Sequence, residues 1–115
     1  VPISALSASI EKTKKAIENS GLLAPIAGHV GDGNYHLMIL FDGESEDGLS
    51  RAKSLASEVN EIALDFGGTV TGEHGIGSGK RSYMEREHGE AWSIMGNIKE
   101  LFDPNNIMNP GKLVP

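Results

Sequence analysis

The sequence contains no cysteine, and this absence excludes several kinds of site. Disulfides, zinc–thiolate centres, iron–sulfur clusters and cysteine nucleophiles all need a thiol. The sequence also lacks any apolar run near the roughly 20 residues that a membrane-spanning helix requires. With 115 residues, 38% of them hydrophobic, the chain is long enough for one soluble domain with its own core.

Basic residues are also few, since 10 Lys and Arg stand against 16 Asp and Glu and give a net charge of −6. They are scattered, and we expect the pair Lys80 and Arg81 to be solvated at the surface. No basic face offsets phosphate charge, which argues against a nucleic-acid partner. The chain starts at Val1 without a methionine, and nothing at its start resembles a signal peptide. We therefore expect a piece of a longer polypeptide, located in the cytoplasm or peripheral to a membrane.

Hydrophobic periodicity predicts the order helix, strand, strand, helix, strand, helix, helix. The predicted helices span residues 4–19, 49–66, 80–88 and 90–102, and the predicted strands span residues 22–27, 36–41 and 69–71. The apolar side chains expected to face inward from the last helix are Ala91, Ile94 or Met95, Ile98, Leu101 and Phe102. This order favours an α+β fold, with helices packed on one face of a small antiparallel sheet.

Glycine is abundant, at 15 of 115 residues, against a usual share of about 7%. It concentrates in two stretches that also carry three of the four histidines. His29, His36 and Glu73 in these stretches form a set of two imidazoles and one carboxylate. Such a set suits zinc, manganese or ferrous iron better than calcium or magnesium. Three protein ligands leave coordination positions open for a substrate, as in catalytic metal sites.

The same residues have other interpretations, which the spacing leaves open. Asp32-Gly33-Asn34 is compatible with ordinary turn chemistry, and Glu73-His74 with a solvated loop pair. A second hypothesis is an independent non-haem metal oxygenase that uses the same three ligands. A third is a stand-alone metal-binding or oligomerisation module without catalysis, in which the glycines only form tight turns.

Three segments resemble, in the same order, the signatures of the FAD-linked oxidase C-terminal family. They read HVGDGNYH at His29–His36, TGEHGIGSGKR at Thr71–Arg81 and FDPNNIMNPGK at Phe102–Lys112. That family includes cytochrome-linked D-lactate dehydrogenases, D-2-hydroxyglutarate dehydrogenases and the glycolate oxidase flavoprotein subunit. The resemblance implies that residues 1–115 are the ferredoxin-like, C-terminal part of a substrate-side domain. It also implies an upstream FAD-binding domain outside this sequence.

The resemblance further implies a role for five residues. His29, His36 and Glu73 would hold a divalent metal. His74 would be the general base, and Asn109 would lie close to the flavin. The implied reaction oxidises a small D-2-hydroxy acid, of the D-lactate or glycolate type, to the 2-oxo acid with hydride transfer to FAD. In this reaction His74 would take the proton of the substrate hydroxyl, whose pKa a metal held by the three ligands would lower.

One position departs from the family pattern. In the 2-hydroxyglutarate-type relatives an asparagine follows the second histidine by two positions, whereas this chain has Met38 there. The difference favours a smaller or less polar substrate. We expect residues 1–115 to be inactive without the upstream domain. We also expect an apolar face left uncovered by that domain to permit a homodimer.

Overall fold

The computed structural model describes residues 1–114. The helices are α1 (Leu6–Ser20), α2 (Glu46–Asp65), α3 (Arg81–His88) and α4 (Glu90–Phe102), and the strands are β1 (Ile26–Ala27) and β2 (His36–Leu37). The strands form one small antiparallel sheet, so the predicted α+β class is confirmed. Two compact units divide the chain, the first covering Val1–Thr69 and the second beginning at Val70. Among residues 1–114, no helix has both the length and the apolar character needed to cross a membrane.

Helix α1 follows a short 3-10 turn at Ile3–Ala5 and ends where the sequence predicts a stop. Gly21 caps it in the left-handed conformation, with φ of 65°, which glycine adopts without steric cost. The buried positions of the helix are Ser9, Thr13 and Ala16. They follow one another at spacings of four and three, so they share one face. Two of the three residues on this buried face carry a hydroxyl.

Helix α2 begins at Glu46, three residues before the predicted start, and its first turn contains two acidic residues. The Ser45 hydroxyl accepts a hydrogen bond of 3.1 Å from the Gly48 amide and caps the helix. Glu46 and Asp47 lie in the first turn, where negative charge interacts favourably with the helix macrodipole. The acidic residues therefore stabilise the helix start.

The core of the first unit joins both long helices to the hairpin. Its buried residues are Ala16, Ala24, Leu55 and Ile62. Half-buried side chains that pack against it are Ile17, Leu22, Leu37, Ile39, Val59 and Phe66. Leu55 is only 1% exposed, and a fully buried side chain of this size contributes roughly 1.5–3 kcal/mol. The packing of α1 against α2 therefore supports the strands that carry the first histidine-bearing loop.

The two strands are shorter than predicted, but they pair as expected. Ala27 lies opposite His36 in the antiparallel register. A further bridge joins Leu23 to Leu40, so the hairpin continues beyond the regular strands. The first two predicted strands therefore pair with each other in a small antiparallel sheet, as predicted.

The strand predicted over residues 69–71 is absent from the described part of the chain, and the prediction is wrong. Side chains satisfy the main chain there instead of a neighbouring strand. The Val70 amide donates to Glu87 Oε2 at 3.1 Å, and Lys80 Nζ donates to the Val70 carbonyl oxygen at 2.7 Å. Since both main-chain groups of Val70 have partners, no sheet pairing is needed.

Helices α3 and α4 occupy the predicted ranges and pack together in the second unit. The prediction that the apolar face of α4 points inward is wrong for most of its residues. Those that are exposed are Ala91, Ile94, Ile98, Leu101 and Phe102, and only Met95 of that set is half-buried. A helical period identifies an apolar face but does not identify the surface that covers it.

Candidate active site

The loop between the two histidines of the first unit is closed by the main chain of His29. Its carbonyl oxygen accepts hydrogen bonds from the amides of Asp32 at 2.9 Å and Asn34 at 3.3 Å. Residues Val30–Asp32 form one 3-10 turn within this glycine-rich stretch. The loop therefore has a defined path, which returns the chain to β2 at His36.

The two histidines lie at the two ends of this loop. Ala27 faces His36, and His29 lies two residues after the end of β1, directly before the 3-10 turn. His29 and His36 are both exposed. Imidazole nitrogens are common zinc ligands, so this loop carries two candidate ligand side chains.

Gly28 permits the close approach of the two hairpin arms beside His29. Its φ is 152°, and a Cβ atom at this position would lie 2.5 Å from both the Asn34 carbonyl oxygen and the Tyr35 Cα. No side chain fits at that distance from main-chain atoms. The first glycine of the loop is therefore needed for the path of the hairpin itself.

The second loop presents Glu73 and His74 on a tight turn. The amides of His74 and Gly75 both donate to the Thr71 carbonyl oxygen at 3.2 Å. His74 Nε2 lies 3.7 Å from Glu73 Oε1, and the two side chains are 84% and 50% exposed. An ion pair this exposed contributes little to stability. The open position of the His74 ring is one that a base needs in order to meet a substrate.

Lys80 and Arg81 do not behave as solvated surface residues, contrary to the prediction. Both are half-buried. Lys80 Nζ binds the Val70 carbonyl oxygen at 2.7 Å, and one Arg81 guanidinium nitrogen donates to the Gly111 carbonyl oxygen at 3.1 Å. The Lys80 and Arg81 side chains therefore bind the main chain at Val70, before the loop that carries Glu73 and His74, and at Gly111, in the C-terminal tail.

The tail that contains Asn109 is fastened to the same loop as His74. The Leu113 amide donates to the Gly77 carbonyl oxygen at 2.8 Å. Asn109 has a φ of 48°, a left-handed conformation that asparagine adopts more readily than most residues. Asn109, Glu73 and His74 therefore belong to one unit.

Asp103 organises the turn that leads from α4 to Asn109, a role that the sequence analysis missed. It is buried, and its carboxylate accepts hydrogen bonds of 2.9 Å from the amides of Ile107 and Met108 while pairing with Lys99. The hydrogen bond from Lys99 lowers the pKa of Asp103, and the two amides act in the same direction against the effect of burial. An aspartate directly before a proline is the available signal, since such residues often bond to the following main chain.

The predicted metal ligands are divided between the two units. His29 and His36 share the hairpin of the first unit, and Glu73 adjoins His74 in the second. Within residues 1–114, no group of three or more His, Asp or Glu side chains could hold a metal ion. The three-ligand set therefore stays a prediction.

Known proteins are similar to this chain over most or all of its length. A model of the family described as FAD linked oxidases, C-terminal domain, matches residues 1–113. The mitochondrial D-lactate dehydrogenase (cytochrome) of Arabidopsis thaliana is 47% identical over 116 residues, which cover 100% of this chain and 20% of that protein. The probable mitochondrial D-lactate dehydrogenase of Danio rerio is 44% identical over 115 residues, covering 99% and 23%.

A relative with a different name shows a comparable similarity. The glycolate oxidase subunit GlcD of Bacillus subtilis is 42% identical over 87 residues, which cover 75% of this chain and 18% of that protein. The chain thus spans about a fifth of the length of the curated relatives that it matches.

Proposed function

Because this chain belongs to the family of FAD linked oxidases, C-terminal domain, we propose that it is the C-terminal part of a flavin-dependent 2-hydroxy acid dehydrogenase. The relatives are named D-lactate dehydrogenase and glycolate oxidase subunit. Since the chain spans about a fifth of their length, most of such an enzyme lies outside it. In this proposal an upstream domain binds FAD, and residues 1–115 contribute to the substrate side.

His29, His36 and Glu73 are the residues that would hold a divalent metal. Their two imidazoles and one carboxylate fit zinc, manganese or ferrous iron. The observation that supports the proposal is that His29 and His36 are both exposed at the two ends of one short loop, which the His29 carbonyl oxygen closes. When bound, a metal of this kind supplies Lewis acidity to the substrate hydroxyl, and the flavin supplies a hydride acceptor.

His74 is the residue that would take the proton of the substrate hydroxyl. Its ring is 84% exposed, and imidazole is suited to proton transfer near neutral pH. Because it directly follows Glu73, a substrate held near the Glu73 carboxylate would lie within reach of the His74 ring.

Asn109 would orient groups close to the flavin from the C-terminal tail, which is fastened to the loop that carries His74. Its segment is exposed, yet the Arg81–Gly111 and Leu113–Gly77 hydrogen bonds hold the chain on its C-terminal side. A polar side chain held by a fixed main chain can orient a ligand without a large entropic cost.

The substrate class follows from the residue beside the second histidine. Met38 lies two residues after His36 and is 53% exposed. Residues two apart along a strand share a side, so Met38 places an apolar side chain on the side of the hairpin that carries His36. This favours D-lactate or glycolate over a dicarboxylate.

The test is a steady-state assay of the intact flavoprotein with D-lactate and glycolate, together with metal analysis. The His36→Ala variant is expected to lose metal and turnover while retaining FAD. The matched control is His88→Ala, which removes an imidazole that pairs with Glu87 at 3.4 Å within α3 and should retain both metal and turnover. If the His36→Ala variant kept full metal content and turnover, the ligand assignment would be wrong. If the native flavoprotein oxidised neither acid, the substrate assignment would be wrong.

A further inference from the structure

We propose that Tyr35 is a positioning residue, which keeps His36 on the exposed side of the hairpin by bonding to two buried hydroxyls of α1. The inference rests on the proposed function, since it takes His36 to be a metal ligand. The Tyr35 phenol oxygen lies 2.6 Å from Ser9 Oγ and 3.1 Å from Thr13 Oγ1. These are ordinary hydrogen-bond distances between hydroxyl groups.

The hydroxyl cluster, formed by Ser9, Thr13 and Tyr35, is enclosed on the side of the helix. Ser9 and Thr13 are both 0% exposed, and they lie one turn apart on the same face of α1. A hydroxyl in such a place cannot exchange its partner for bulk water, so losing that partner destabilises the arrangement. Because Tyr35 bonds to both, its position along the helix is defined at two points.

Side-chain exposure alternates along the chain that follows Tyr35. Tyr35, Leu37 and Ile39 are half-buried, whereas the three residues between and after them are exposed. In an extended strand, consecutive side chains point to opposite sides. With Tyr35 bonded to the helix, His36 is therefore directed away from it.

Apolar side chains alone do not specify this register. Residues 37–41 read Leu-Met-Ile-Leu-Phe, so both sides of the strand are hydrophobic. A slip of one residue would bury Met38 and Leu40 at little hydrophobic cost while turning His36 toward the helix. The phenol of Tyr35 favours the observed register. In a register shifted by one residue, the buried hydroxyls of Ser9 and Thr13 would lose their hydrogen bonds to this phenol.

The hydrogen bonds of Tyr35 also constrain the position of His29, which lies on the opposite arm of the hairpin. A Cβ atom on Gly28 would lie 2.5 Å from the Tyr35 Cα, so the two main chains are in direct contact at this point. When the main chain at Tyr35 is held in place, the main chain at Gly28, directly before His29, is therefore held in place as well. The one phenol positions both imidazoles of the first unit.

The experiment compares Tyr35→Phe with Tyr83→Phe in the intact flavoprotein after removal of bound metal. Tyr83→Phe removes the same hydroxyl from the only other tyrosine of the chain. Zinc affinity is measured by calorimetric titration, and the ligand field by cobalt(II) absorption. We expect Tyr35→Phe to weaken zinc binding about tenfold, the lower end for residues that orient metal ligands. It should also alter the cobalt bands, while Tyr83→Phe does neither.

A third variant separates positioning from general stability. Leu55→Val destabilises the core of the same unit without removing any hydroxyl of the cluster. If Leu55→Val weakened zinc binding as much as Tyr35→Phe, the role of Tyr35 would be structural only, and the inference would be wrong. Unchanged zinc affinity and cobalt bands in Tyr35→Phe would overturn it as well.

A measurement without metal keeps this inference distinct from the proposed function. The amides of Met38 and Leu40 donate across the hairpin to Pro25 and Leu23 at 3.0 and 2.9 Å. Tyr35→Phe should accelerate hydrogen exchange at both amides, and Tyr83→Phe should not. A native flavoprotein that bound no divalent metal would overturn the metal assignment, and the exchange rates would then decide separately whether Tyr35 fixes the hairpin. Equal exchange rates in the two variants would refute its role.

Discussion

Replacing Gly28 with alanine should disrupt the hairpin that carries both histidines. The added Cβ atom would lie 2.5 Å from the Asn34 carbonyl oxygen and from the Tyr35 Cα, about 0.9 Å closer than ordinary contact. Both atoms belong to the main chain, so no flexible side chain can move aside. The φ of 152° is also one that residues with a side chain rarely adopt.

The loss of hairpin stability in Gly28→Ala can be calculated from the unfavourable φ and from the steric overlap of the added Cβ atom. A residue with a side chain in a sparsely populated backbone region costs about 1–3 kcal/mol, and forced overpacking costs typically about 1–3 kcal/mol. The opening free energy of the hairpin should therefore fall by at least about 2 kcal/mol. Such a loss corresponds to roughly 30-fold faster amide exchange where local opening limits protection.

Gly31→Ala is the matched control in the same loop. Gly31 has no positive φ, and no atom lies within 4 Å of its added Cβ, so this change should be neutral or stabilise by up to about 1 kcal/mol. The assay is hydrogen exchange of the Met38 and Leu40 amides in the intact flavoprotein. Equal exchange rates in the two variants would refute the account of the close approach at Gly28.

Two further predictions concern the second unit. His74→Ala in the intact flavoprotein should lower kcat by about 10²–10⁴-fold without loss of FAD, and near-native turnover would remove His74 from the role of base. The pKa of Asp103 is lowered below its ordinary value of 3.8 in the folded chain, so the carboxylate contributes stability above that pH and loses it as the pH falls through the folded pKa. The difference in Tm between the native protein and Asp103→Asn should therefore be largest at neutral pH and shrink below pH 3.8; a difference independent of pH would contradict this.

Hydrophobic periodicity predicted the order of the helices, and the errors in the prediction have identifiable physical causes. The predicted ranges of α1 and α2 agree with the structure to within three residues. The start of α2 was predicted at residue 49 instead of Glu46, because periodicity does not reveal that Ser45 caps a helix there. The short β-branched run at residues 69–71 fits a strand by propensity, but side chains from α3 and its N-terminal flank satisfy its main chain instead.

The sequence predicted which residues form the candidate site, but it predicted their arrangement in space only in part. The sequence motifs identified His29, His36, Glu73 and His74, and the structure places them as two pairs on two loops. The hydroxyl cluster was missed, since a Ser and a Thr four residues apart on a helix resemble ordinary surface positions. Only the tertiary pairing of α1 with the hairpin shows that their partner is the tyrosine next to a histidine.

The central proposal is that His29, His36 and Glu73 bind one divalent metal, and X-ray absorption spectroscopy of the zinc-loaded flavoprotein tests it most directly. The account predicts two imidazole nitrogens at about 2.0–2.1 Å and carboxylate oxygen in the zinc coordination sphere. One imidazole should be lost in His29→Ala and in His36→Ala, and the carboxylate contribution in Glu73→Gln. A spectrum without imidazole, or one that is unchanged in all three variants, would contradict the account.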